Sequence, residues 1–159
     1  MATVTINQHH KRQFGGFSPF GNLSTLPFEL KTNATGAAIG SNSSAAIASG
    51  DVVDLGPLPA GMRLDDAMIL VLVAMTALVT GSLGFKYEDG VDSTEVPQDA
   101  AYFGAGLVLN TTGRLRAATA KLVTLPKPAR LILTTAGAAN AKASDCLLYT
   151  SPSPRDRTR

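Results

Sequence analysis

The sequence predicts an all-β protein, a jelly-roll-like β-sandwich that carries an extended N-terminal arm. Short apolar segments alternate with turns rich in Gly and Pro, and no long segment has the period of an amphipathic helix. Charged residues make up only 16% of the 159 residues, whereas apolar residues make up 45%, which is too many for a disordered chain. The length suits a single domain with a core of its own.

Residues 1–26 are predicted to form the arm. Gly and Pro alternate with aromatic residues here and interrupt any helix or strand period. Phe14, Phe17 and Phe20 are candidate anchors for a partner protein, and Lys11 and Arg12 form a small basic cluster near them. Two interpretations stay open at this point: the phenylalanines bind a partner, or they cap the sandwich of their own chain.

Residues 27–145 are predicted to form the sandwich. The alternation of apolar and polar residues in 27–32 predicts its first strand. Further strands are expected at residues 52–55, 68–75, 78–87, 101–109, 114–118 and 130–135, with a turn at 56–61 and an acidic loop at 88–99.

The apolar stretch 67–79 could form a membrane span, a helix or two strands. It is too short for a membrane span, which takes about 20 apolar residues. Its Ala, Met and Leu residues also suit a helix, but its β-branched residues favour two buried strands joined near Thr76.

One pattern, Leu-Pro-x-x-x-Arg-Leu, occurs twice, at residues 58–64 and 125–131. Each copy leads into an apolar strand, so proline would fix a turn and arginine would reach solvent or a facing carboxylate at the strand entrance. The repetition reflects either two halves that are wound alike or chance.

Residues 146–159 differ abruptly in composition from the rest of the chain. They contain Ser-Pro repeats and arginines, whereas the preceding residues are rich in Ala, Thr and Leu. Residues 146–156, CLLYTSPSPRD, resemble the conceptual translation of a transposase-type sequencing adapter. We therefore predict that 146–159 is a non-native tail, and that the natural chain is interrupted inside or just before its final strand. The alternative is a natural disordered tail with a proline-rich or phosphorylation motif.

Excluding this tail changes the charge balance. The whole chain has 14 basic and 12 acidic residues. The tail holds three of the basic residues (Arg155, Arg157, Arg159) and one of the acidic ones (Asp156), which leaves 11 of each sign. A neutral chain lacks the excess of positive charge that binds nucleic acid, so nucleic acid is not an expected partner.

No residue pattern predicts catalysis, a cofactor or a metal site. No serine lies in a Gly-x-Ser-x-Gly motif, and the glycine-rich phosphate-binding motifs do not occur. One cysteine and the adjacent His9 and His10 cannot supply a four-ligand zinc site. The acidic segment 88–99 lacks the spacing of a calcium-binding EF-hand loop, which favours a solvated loop. We therefore do not expect an enzyme.

Four short motifs of the predicted sandwich are DVVDLGPLPAG at residues 51–61, VTGSLGF at 79–85, AYFGAG at 101–106 and LPKPARLILTT at 125–135. With these four motifs in this order, the span 51–144 resembles the small virion proteins of tailed bacteriophages that decorate or cement the capsid. The resemblance rests on structural motifs and not on chemical ones.

The resemblance implies a protein of the virion that acts through protein–protein contacts. Its partners would be the lattice of the major capsid protein and further copies of itself, with a trimer favoured and no membrane involved. Aromatic anchors such as those of the arm suit a protein interface. The alternative is a ligand- or receptor-binding sandwich of a virion, directed at carbohydrate or a host surface, although the chain has no Trp and only three Tyr for such a site.

Overall fold

The computed structural model describes residues 1–6, 25–117 and 121–153, which form two packed β-sheets. Within these ranges the chain contains no helix. Its strands are β1 (Thr3–Thr5), β2 (Leu26–Thr32), β3 (Val52–Leu58), β4 (Arg63–Val73), β5 (Thr80–Tyr87), β6 (Asp99–Val108), β7 (Gly113–Ala117), β8 (Val123–Thr124), β9 (Ala129–Ala136) and β10 (Ser144–Ser153). The prediction of an all-β sandwich is confirmed.

Sheet I has the strand order β1-β3-β9-β5-β6, and sheet II has the order β2-β10-β4-β7, with β8 paired to β4. The pairings are antiparallel except for that of β1 with β3. Most connections between described strands cross from one sheet to the other, so the core is built from residues that are far apart in sequence.

The alternating pattern of β2 shows how the sequence specifies this core. Phe28 and Leu30 point between the sheets and are buried, whereas Glu29 and Lys31 are exposed and form an ion pair at 2.7 Å. A strand places successive side chains on opposite faces, so a period of two buries one face and leaves the other in water. The strand predicted at 27–32 is thus confirmed.

The apolar stretch 67–79 forms the second half of β4 and the turn that leads to β5. The interpretation as strands is confirmed, although β4 begins earlier than predicted, at Arg63, and ends at Val73. Since β4 lies in sheet II and β5 in sheet I, the turn crosses the sandwich. Among the described residues there is no helix that is long and apolar enough to span a membrane.

Strand β3 is longer than predicted. The sequence assigns a turn from residue 56 onward because of Gly56 and Pro57, but β3 continues to Leu58. A register shift between Asp54 and Gly56 absorbs the irregularity, and β1 pairs only with residues 52–54. Proline is tolerated where one side of a strand has no partner that needs its N–H, which explains the difference.

The two Leu-Pro-x-x-x-Arg-Leu segments lie side by side. The Gly61 N–H donates to the Leu125 carbonyl at 2.8 Å, and the Leu125 N–H donates to the Met62 carbonyl at 2.9 Å. One segment leads from sheet I to sheet II and the other leads back. Arg130 faces a carboxylate, that of Asp54, at 3.0 Å, whereas Arg63 pairs with Asp65 on its own strand.

The end of the chain contributes a central strand. β10 lies between β2 and β4, and its Cys146 and Leu148 side chains are buried in the core. A final strand therefore exists where the sequence places one, and residues 146–153 of the predicted non-native tail form most of it.

Candidate assembly surfaces

The residues predicted to bind a partner, Lys11, Arg12, Phe14, Phe17 and Phe20, lie outside the described residues. The flanking residues belong to the sandwich, since β1 pairs with β3 in sheet I and β2 begins at Leu26 in sheet II. The described residues at both ends of the predicted arm therefore include strands of the sandwich.

One end of the sandwich consists of four connections, residues 33–50, 74–79, 109–112 and 137–143, which we call the Leu78 end. Backbone hydrogen bonds hold them together: the Met75 N–H donates to the Leu109 carbonyl at 2.9 Å, and the Asn140 N–H donates to the Ile47 carbonyl at 2.8 Å. These four connections contain a single charged residue, Lys142.

Exposed apolar side chains gather at the Leu78 end. Leu78 is 73% exposed, and Leu72, Val73 and Val108 are each almost half exposed. Leu78 has a φ of 67°, a left-handed backbone conformation that a residue with a branched apolar side chain rarely adopts. Sequence reasoning missed this surface, because residues 67–79 read as a continuous core segment and only the position of the turn exposes Leu78.

Asn140 fixes the arrangement of this end from inside. Its side chain is 1% exposed and its Oδ1 accepts from the Thr76 N–H at 3.1 Å and from the Thr76 hydroxyl at 3.2 Å. Its Nδ2 donates to the Thr32 hydroxyl at 3.0 Å and to the Lys142 carbonyl at 2.9 Å. One buried amide therefore joins two of the four connections, 74–79 and 137–143, to the end of β2.

Gly36 is part of the same construction. Its φ of 85° favours glycine, and a Cβ at this position would lie 1.9 Å from the Asn140 carbonyl oxygen. The close approach lets the segment 33–50 pack directly on the backbone that carries Asn140.

Asp51 closes the Leu78 end at the start of β3. Its buried carboxylate accepts from the Ala2 N–H and from the Ala48 N–H, each at 2.9 Å. These two hydrogen bonds lower the pKa of Asp51 below its usual value, because they favour the ionised form. The carboxylate attaches the N-terminal residues to the sandwich.

The opposite end, which we call the Leu122 end, includes the described connecting residues 59–62, 88–98, 121–122 and 125–128. They contain six charged residues: Glu88, Asp89, Asp92, Glu95, Lys121 and Lys127. Lys127 pairs with Asp89 at 2.8 Å and lies 4.6 Å from the centre of the Tyr87 ring. The Lys127 ammonium is the main cause of the lowered pKa of Asp89.

A groove of about 580 Å³ lies on the outer face of sheet II. Met68 and Tyr149 line it together with Arg116, which forms an ion pair with Asp66 at 2.7 Å. The other two tyrosines, Tyr87 and Tyr102, are buried in the core. Tyr149 is therefore the tyrosine that could stack against a bound sugar, and it belongs to the predicted tail.

Two features of the described residues bear on chemistry: the placement of possible metal ligands and the state of Cys146. No group of three His, Cys, Asp or Glu side chains in ranges 1–6, 25–117 and 121–153 is placed to hold a metal ion. Burial raises the pKa of the Cys146 thiol to about 12, so this thiol is protonated at neutral pH and is a poor nucleophile.

The fold resembles that of chains from two bacteriophage capsids. A chain from the capsid of Ralstonia phage GP4 superposes with a TM-score of 0.59 at 16% identity, over 87% of this chain and 90% of that chain. A chain from the capsid asymmetric unit of cyanophage Pam1 superposes with a TM-score of 0.56 at 13% identity, over 94% of this chain and 97% of that chain. No protein-family model and no curated protein sequence matches the chain. At these identities the comparison shows a shared fold.

Proposed function

We propose that this protein is a structural component of a phage virion, located in the capsid, where it decorates or cements the shell through protein–protein contacts and without catalysis. The observation that carries the proposal is the superposition on two phage capsid chains over almost the whole length of each.

The lengths support a decorating role over that of a shell-forming subunit. Because the aligned share is similarly high on both sides of each comparison, the two capsid chains are about as long as this one. A chain of this length folds into one sandwich, which suits a subunit that binds onto a lattice made by a larger protein.

The strand pairing supports the jelly-roll interpretation of the fold. Four antiparallel pairs, β2 with β10, β3 with β9, β4 with β7 and β5 with β6, nest the early strands against the late ones. An antiparallel ribbon that folds over into two sheets produces this nesting, and jelly rolls consist of two such sheets. Virion proteins of this shape would assemble as closed homo-oligomers, and we favour a trimer.

We also propose that residues 146–159 are not native. Two observations support this: the residue composition changes abruptly at Cys146, and the buried Thr150 hydroxyl has no hydrogen-bond partner. Native cores leave few such groups unpaired. Resequencing the source DNA without that adapter tests the proposal, and an unchanged reading through codon 156 contradicts it.

The decorating role is tested with shells assembled from the major capsid protein of the same genome. We expect wild-type protein to co-sediment with these shells, and a variant with Phe14→Ala, Phe17→Ala and Phe20→Ala to lose at least nine-tenths of its binding, on the order of the loss expected when several buried aromatic anchors are removed.

A Lys11→Ala, Arg12→Ala double variant is the matched control within the same segment, and a smaller loss is expected from it because rim charges contribute little. Absence of wild-type binding would contradict the decorating role, whereas unchanged binding of the triple variant would contradict the role of the arm.

A further inference from the structure

We propose that the Leu78 end is the surface through which copies of this protein contact each other. The inference deepens the proposed function, on which it rests, because it names the contact surface of the homo-oligomer. The occupant of the surface is a second copy of this chain.

The first reason is the distribution of exposed apolar side chains. The Leu78 end and the strand ends that border it expose Leu72, Val73, Leu78 and Val108. Val108 lies opposite Thr80 in the register of β5 and β6, whereas Val73 lies opposite Asp145 in sheet II, so the surface extends over both sheets. Clusters of exposed apolar residues that cover a contiguous area mark interaction sites.

The second reason is charge. In a symmetric contact each group near the axis approaches the same group of another copy, so a charge placed there repels its equivalent. Residues 32–50, 67–85, 100–113 and 131–141 contain no charged residue, and all of them run through or into the Leu78 end. The connections of the Leu78 end carry one charge, that of Lys142, whereas those of the Leu122 end carry six. A contact between two copies therefore brings fewer like charges together at the Leu78 end.

The third reason is the backbone of Leu78. Its left-handed conformation costs free energy that Gly or Asn would largely avoid, and such strain is kept where a side chain has a role. The position is held firmly, since a Cβ on Gly137 would lie 2.1 Å from the Leu78 carbonyl oxygen. A rigid, exposed leucine loses little conformational entropy when it is buried by a partner.

The charged residues of this region lie on one side of the Leu78 end, next to β2 and β10. Lys142 is exposed on the connection before β10, and Lys31 lies 3.8 Å from the Asp145 carboxylate at the edge of sheet II. An apolar centre with a polar rim is the usual organisation of a protein interface.

The test compares two exposed leucines at opposite ends of the molecule, Leu78 and Leu122, which are 73% and 62% exposed. Self-association of the full chain is measured by sedimentation equilibrium. We expect Leu78→Asp to weaken the association constant at least tenfold, because it places a charge on every copy at the contact, and we expect Leu122→Asp to leave it unchanged.

A second variant, Leu78→Asn, separates association from folding. Asn tolerates the left-handed conformation, so this variant should unfold at the same or a higher urea concentration than the wild type while it still loses self-association. Wild-type protein that stays monomeric at high concentration, or a Leu78→Asp variant that associates like the wild type, would overturn the inference.

Binding to shells, measured separately, keeps the two proposals apart. If the wild-type protein binds shells but its self-association does not depend on Leu78, the inference is contradicted and the decorating role is not. Self-association that depends on Leu78 in a protein that does not bind shells supports the inference and contradicts the decorating role.

Discussion

The two ends of the sandwich are built on different physical principles. At the Leu78 end, neutral hydrogen bonds around Asn140 lie beneath an exposed apolar surface. At the Leu122 end, the loops are charged and the Lys127–Asp89 ion pair is partly exposed to solvent. The comparison shows how one small domain can separate a surface suited to contact with other proteins from a surface suited to water.

The difference also predicts where stability resides. Hydrogen bonds of buried groups are costly to break, because the partner that remains cannot be solvated. Exposed ion pairs contribute little, because water and salt screen them. Substitutions of polar residues should therefore affect folding far more at the Leu78 end than at the Leu122 end.

The largest effect is expected from Asn140→Leu. The substitution leaves the Thr76 N–H without its partner and removes one hydrogen bond each from the Thr32 hydroxyl and the Lys142 carbonyl, which stay bonded to each other. It should lower the free energy of unfolding by about 3 kcal/mol. Urea denaturation followed by circular dichroism measures this.

Asn33→Ala is the control at the same end, since the Asn33 Oδ1 accepts three hydrogen bonds although the Asn33 side chain is exposed. A loss of about 1 kcal/mol or less is expected there. Equal losses for both variants would show that burial does not distinguish the two asparagines.

An intermediate effect is expected from Asp51→Asn. The neutral amide cannot accept from both the Ala2 and Ala48 N–H groups, so the variant should be about 2 kcal/mol less stable than the wild type at pH 7. The pKa of Asp51 is lowered in the folded state. Its stabilising contribution is thus complete above the unfolded pKa of about 3.9, and it is lost as the pH falls through the lower folded value.

The measurement is urea denaturation of both proteins at pH 7 and at several values below pH 4. The difference in free energy of unfolding between the wild type and the variant should decrease as the pH decreases. A gap that stays constant over this range would mean that the carboxylate form is not what stabilises the contact.

The smallest effect is expected from Lys127→Met at the Leu122 end. Removing the ion pair with the exposed Asp89 should change the free energy of unfolding by about 0.5 kcal/mol. Thermal denaturation at low and at 1 M salt should show that this small difference shrinks with salt, because the Debye length falls to about 3 Å at 1 M. A loss as large as that of Asn140→Leu would refute the distinction between the two ends.

Particular elements show how far the sequence alone can be interpreted. The period of two in residues 27–32 predicts β2 because burial of one sheet face needs nothing more than alternation. The continuation of β3 through Pro57 is not predictable in the same way, because the tolerance for proline depends on which neighbouring strand pairs at that residue. The inward position of Cys146 and Leu148 likewise depends on the space between β2 and β4.

The candidate surfaces likewise have one property that the sequence predicts and one that it does not. The absence of charge in residues 32–50, 67–85, 100–113 and 131–141 can be read from the sequence. That these segments meet at one end, around one buried asparagine, cannot be read from it, since Asn140 and Thr76 are 64 residues apart and share no motif.

The sequence by itself determined the class of fold, the positions of most strands and the separation of charged from uncharged segments, because alternation, turn residues and composition act locally. Tertiary structure alone decided which apolar residues stay in water. Leu78 is exposed and Val79 is buried, although both belong to one apolar run, because the chain crosses between the sheets at that turn. Burial is a property of the packed sheets, and it depends on partners that no local pattern specifies.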